Sequence, residues 1–101
     1  MLYEGYYKII LNLKTRQLKI INYFDLNIKH IQLSKQETRL LLFLSDNDRK
    51  ANYEIKLFIN VSYNNAVKSL IDRIKEKVPE IQILNKYAMG YCLITNILID
   101  Y

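Results

Sequence analysis

In the first third of the chain, apolar and polar residues trade places over short runs. "YYKIILNL" and "QLKIINYF" are rich in Ile and Tyr and are separated by the polar "KTR", which predicts an antiparallel β-hairpin. "NIKHIQL" continues the alternation, with Ile28, His30 and Gln32 on one face and Lys29, Ile31 and Leu33 on the other, and predicts a third strand. The period then changes. In "LSKQETRLLLFLSDND" Ser34 stands three residues before Glu37, the spacing of a capping box in which each side chain satisfies a free amide at the other's position. Leu40, Leu41 and Leu44 follow at helical spacing and are expected to face the core, with Phe43 partly buried. "SDNDRKAN" ends that helix in turn-forming residues. Asn52 is placed to cap a short second helix, "YEIKLFI", whose Ile55, Leu57, Phe58 and Ile59 supply apolar surface. "NVSYN" makes a tight connection.

"NNAVKSLIDRIKEKV" is the third helix. With Ile71 at the centre of its core side, Val67, Leu70, Ile74 and Val78 cluster around it. The outward side carries Asn65, Ser69, Asp72 and Glu76, flanked by Lys68 and Lys75 on one edge and by Arg73 and Lys77 on the other. Pro79 stops the helix. "IQILNKYAMGYCLI" predicts two apolar strands around a turn at residues 86–90, with Gly90 where a positive φ is needed. A short helix joined by a brief turn to a longer one is a helix-turn-helix, and a hairpin directly after it is a wing. The expected fold is α+β: a winged helix-turn-helix with an N-terminal antiparallel sheet (1–33), a three-helix core (34–78) and a C-terminal β-hairpin wing (81–98), all in one domain of 101 residues.

Composition narrows what such a domain does. Fifteen Lys and Arg against ten Asp and Glu give a net charge of +5, enough to favour a polyanionic partner. One cysteine, Cys92, forms no internal disulfide, which points to a reducing, cytoplasmic setting. One histidine, His30, and one cysteine far apart assemble no metal site of the usual kind. Two isolated glycines, Gly5 and Gly90, make no phosphate-binding loop, and no nucleophile is paired with a base. Neither an enzyme nor a cofactor is expected. Met1 leads into the first strand without a long apolar run, so no signal peptide is read there. The apolar run "CLITNILI" is broken by Thr95 and Asn96 and is too short to insert in a membrane.

Four stretches in order, "IQLSKQETRLLLFL", "NNAVKSLIDRIKEKV", "ILNKYAMGYCL" and the opening hairpin, resemble OmpR/PhoB-type winged-helix DNA-binding domains. The Glu-Thr-Arg-Leu-Leu form of the first helix is similar to the ToxR-like branch, whose members are transcription activators often tethered to a membrane. Gly90 and Tyr91 match the Gly-Tyr pair that ends the family's wing. The resemblance implies a bacterial transcription regulator that binds double-stranded DNA, its third helix in the major groove and its wing tip, Lys86 and Tyr87, at the adjacent minor groove. It implies groove-facing roles for Asn65, Ser69 and Arg73, and backbone contacts from Lys68 and Lys75. It also brings RNA polymerase or another regulator as a partner, a dimer on tandem half-sites, and the alternatives of a stand-alone reader or the cytoplasmic piece of a membrane-tethered protein.

The residues supply the chemistry this requires. Lys68, Arg73, Lys75 and Lys86 offer about four phosphate contacts, hence a log–log salt slope of roughly −3 to −4. The first amides of the second helix, at Asn52 and Tyr53, are placed to hold another phosphate. Asn65 can pair with adenine and Arg73 with guanine, each contact worth about 1–3 kcal/mol of discrimination, and Ser69 is small enough for close approach. Asn64 or Asn65 can instead cap the third helix, a role that suits Asn64. Asp72 can accept from cytosine N4, or pair with Lys68 or Lys75 within the helix, which is the commoner outcome; otherwise it repels phosphate. Asp72 and Glu76 also leave open a second reading, a degenerate winged helix that binds another regulator as a protein-interaction module.

Overall fold

Residues 7–61, 65–85 and 89–101 are described by the computed structural model. Strands β1 (Tyr7–Asn12), β2 (Gln17–Asn22) and β3 (Ile28–Gln32) form an antiparallel meander. Tyr6, included in the first predicted strand, lies outside the described residues. Register pairs Ile9 with Ile20 and Leu11 with Leu18, so all four point to one face, where they are buried. The β1–β2 turn is closed by the Asn12 side chain, which accepts from the amides of Lys14 and Thr15 at 2.9 and 3.0 Å. Its last residue, Arg16, has a positive φ of 59°. β3 is an edge strand and mostly exposed, His30 included.

Helix α1 (Lys35–Leu44) begins with the predicted capping box: the Glu37 amide donates to Ser34 Oγ at 3.1 Å and the Ser34 amide to Glu37 Oε1 at 2.7 Å. Leu40, Leu41 and Leu44 are fully buried, each worth about 1.5–3 kcal/mol of burial. Helix α2 (Asn52–Ile59) differs in detail from expectation. Its N-cap is Ala51, and Asn52 is already helical; the Ala51 amide is satisfied instead by Glu54 Oε1 at 3.3 Å. Glu54 thus supplies only the returning half of a capping box, and no N-cap side chain accepts from the first turn as Asn52 was expected to do. Ile55 and Ile59 are buried, whereas Leu57 stays 79% exposed. Phe58 stacks on Phe43 with ring centroids 4.4 Å apart. Helix α3 (Asn65–Lys77) buries Val67, Leu70, Ile71 and Ile74, with Val78 just past its end.

The wing is the antiparallel pair β4 (Ile83–Asn85) and β5 (Tyr91–Leu93). Beyond it the chain departs from the expected hairpin, which ran to residue 98. Ile94 and Thr95 stay tied to the start of the wing, the Ile94 amide donating to Gln82 O and the Gln82 amide to Thr95 Oγ1. After that bend β6 (Leu98–Asp100) runs parallel to β1 and completes a four-stranded mixed sheet in the order β3-β2-β1-β6. The molecule is thus α+β, with a sheet in front, three helices behind and a two-stranded wing. Among the described residues no helix is long and apolar enough to cross a membrane.

Candidate nucleic-acid interface

Because α3 spends one side on the core, its remaining side is free by geometry. Asn65, Lys68, Ser69, Asp72, Arg73, Lys75 and Glu76 are all exposed. Asp72 takes the intrahelical pair: Lys68 Nζ donates to its Oδ2 at 2.9 Å, one turn away. That hydrogen bond, and then the charge of Asp72, hold the Lys68 ammonium above the usual lysine value. Among the described residues Arg73, Lys75 and Glu76 form no ion pair. Asn64 lies outside the described residues.

Lys77, expected only to flank the helix, turns back to α1. Its Nζ lies 2.7 Å from Glu37 Oε1 and 3.5 Å from the Gln32 carbonyl. Glu37 is 1% exposed. Burial by itself pushes its carboxyl up; the hydrogen bond and charge from Lys77 and the Ser34 amide together outweigh it and hold the group below its ordinary value. One carboxylate therefore caps α1 and anchors the end of α3. Local sequence carried half of this, the capping box; the other half needs the packing of α3 on α1.

The base of the wing is fixed to the corner between α1 and α2. Lys50 and Tyr91 exchange two backbone hydrogen bonds, at 2.8 and 2.9 Å. A β-carbon on Gly90 would lie 2.0 Å from the Lys50 carbonyl oxygen, and Gly90 has φ +101°, so only glycine fits this crossing. Asn47, in a left-handed conformation three residues after α1, donates through its side chain to the carbonyls of Leu93 at 2.9 Å and Thr95 at 3.2 Å. Its own carbonyl accepts from the Cys92 thiol at 3.2 Å. "SDND" marked a turn in the sequence and gave no sign that this asparagine holds the wing.

These links set the start of α2, with exposed Asn52 and Tyr53, beside the wing base and α3. Tyr91, 7% exposed, feels the charges of both Lys68 and Asp72. Burial raises its phenol above the ordinary value, Lys68 opposes the shift and Asp72 adds to it. The exposed residues of α3 thus stand in the same part of the molecule as the start of α2 and the wing base. Lys86 and Tyr87, expected at the wing tip, lie outside the described residues.

A two-helix corner whose longer second helix is exposed along one side, followed by a two-stranded wing, defines the winged-helix class, and this chain has that fold. It is similar to a solved structure, the crystal structure of the DNA-binding domain of Bacillus subtilis CssR, with a TM-score of 0.68 and 22% identity over 86% of this chain and 100% of that one. No family model and no curated protein matches the sequence.

Proposed function

We propose that this protein binds double-stranded DNA sequence-specifically and regulates transcription, with α3 in the major groove and the wing in the minor groove. The observation that carries the reading is the division of α3: a wholly buried apolar side behind an exposed polar side on which Arg73 and Lys75 have no ionic partner among the described residues. A major groove admits one α-helix, and unpaired cations beside it are what phosphates require. The fold shared with a DNA-binding domain supports it. Asn65 and Arg73 read bases, Ser69 permits close approach, Lys75 and Lys86 meet phosphates, and Lys68 stands at the same edge in its pair with Asp72. Asn52 and Tyr53 offer helix amides to a further phosphate, and Tyr87 adds a wing-tip contact. The capping box and the Gly90–Tyr91 pair favour an OmpR/PhoB-type regulator, and the run from Glu37 to Leu41 favours the ToxR-like branch. A dimer on tandem half-sites and contact with RNA polymerase follow from that resemblance.

Fluorescence anisotropy with a random-sequence duplex tests it. About four phosphate contacts predict binding at about 50 mM salt that weakens on the order of 10²-fold by about 200 mM. The double substitution Lys68→Glu, Arg73→Glu should abolish binding; full binding by that variant would mean a different surface is used.

A second reading is favoured by other observations. Tyr53 is 66% and Leu57 79% exposed on α2, an apolar stretch beside a helix that also carries Asp72 and Glu76. A protein-interaction module that modulates another regulator would use that surface. It predicts no duplex binding even at the lower salt.

A further inference from the structure

We infer that Asp72 is a specificity-determining residue: together with Lys68 it reads a G·C pair, and it weakens binding to duplex that lacks one at that position. This rests on the DNA-binding reading above and names what part of that site selects.

The Lys68–Asp72 couple stands on the exposed side of α3, with side chains 69% and 55% exposed, and sets a donor beside an acceptor 2.9 Å apart. Only Oδ2 of the carboxylate is engaged; Oδ1 has no hydrogen-bond partner among the described residues. An ionised carboxylate accepts and never donates. Phosphate oxygens, guanine N7 and O6, adenine N7 and thymine O4 all repel it, and the amino groups of cytosine and adenine alone suit it. The two amino groups are not equivalent. Adenine N6 lies between two acceptors, its own N7 and the partner thymine O4, so a carboxylate approaching it meets negative edges on both sides. Cytosine N4 has acceptors on one side only, guanine O6 and N7, and these are what the Lys68 ammonium seeks. Guanine O6 and cytosine N4 are themselves joined by a hydrogen bond, so they stand about 2.9 Å apart. The couple is thus complementary to the pair in both spacing and order.

Away from such a pair the same couple is a penalty. Lys68 is tied to Asp72 rather than to phosphate, and the carboxylate faces acceptors. Specificity built this way comes from rejecting the wrong partner as much as from binding the right one. Tyr91, buried at the wing base, is near enough to feel both charges of the couple, which places the couple on the side of α3 toward the wing.

The test compares the full chain with its Asp72→Ala and Asp72→Asn variants, all checked for folding by circular dichroism, on sites selected from a random duplex library. The unaltered protein should select sites with a fixed G·C pair, and changing that pair to A·T should weaken its binding about tenfold or more. The same change should move the alanine variant less than about twofold. That variant should bind random duplex several-fold tighter, with a salt slope steeper by about 1 as Lys68 turns to phosphate. The asparagine variant, able both to donate and to accept, should shift its preference toward adenine. Selected sites without a fixed G·C pair, or equal discrimination by protein and variants, would overturn the inference while leaving DNA binding intact. Failure of all three proteins to bind any duplex would overturn both.

Discussion

Glu37 carries two duties through one oxygen, and its charge is what joins them. Its Oε1 accepts from the Ser34 amide and from Lys77, while Oε2 is buried without a partner among the described residues. Because the folded-state carboxyl lies below its ordinary value of 4.5, the unfolded chain binds the proton more readily. The stabilisation is therefore whole above about pH 4.5 and is lost as pH falls through the lower folded-state value. Glu37→Gln keeps the shape and removes the charge. It should cost about 1–2 kcal/mol at neutral pH, at the low end for a charged hydrogen bond because Lys77 stays half in water. It should also flatten the acid limb of the stability curve. Urea unfolding of both proteins between about pH 3 and about pH 7 checks this, and parallel curves would clear Glu37 of the role. At this scale the sequence was partly legible. The capping box and the positive φ of Gly90 rest on local rules, so both could be read directly. The second bond of Glu37 and the grip of Asn47 on Leu93 and Thr95 span 40 or more residues and leave no local mark.

The helices were legible because burial imposes their period. Every residue assigned to the core side of α3 is buried, and every one assigned to its outer side is exposed. Which lysine Asp72 would take depends on rotamers rather than on period, and the pattern left that open. β6 is the element the pattern missed. Its Leu and Ile follow the wing without a strong turn signal, and nothing local tells a wing strand from one that pairs in parallel with β1, as Leu11 does with Ile99. That pairing can be tested by itself. Ile99 packs against the core, so Ile99→Asp should destabilise the domain by about 2 kcal/mol or more through a desolvated charge. Hydrogen exchange should speed up at the Leu13 amide, which donates to Asp100, more than at α1. Unchanged exchange there would mean that β6 contributes little to the sheet.

For the molecule as a whole, the excess of +5 matters less than where cations remain unspent. Lys29, Lys50, Lys68 and Lys77 are each committed to a carboxylate. Among the described residues Arg73 and Lys75 on α3 are not, and that local surplus is what a phosphate would meet. Sequence could count the charges but not assign their partners, since two of the four pairs join distant chain segments and the other two depend on rotamers or loop conformation. The Cα radius of gyration, 13.3 Å, is that of a compact domain of about 100 residues. Asn47 closes α1 with its backbone amide and holds β5 with its side chain, while Lys77 at the end of α3 is tied to Glu37 of α1, so the longer helix and the base of the wing are both fixed to one element, as the jaws of a gauge are to its bar. A B-form duplex offers a wide groove for one jaw and a narrow one for the other, whereas in an A-form duplex the major groove is too narrow for side chains to enter. Double-stranded RNA of matching sequence should therefore fail to displace a bound DNA probe, and equal competition by the RNA would show that the jaws are not what measures the ligand.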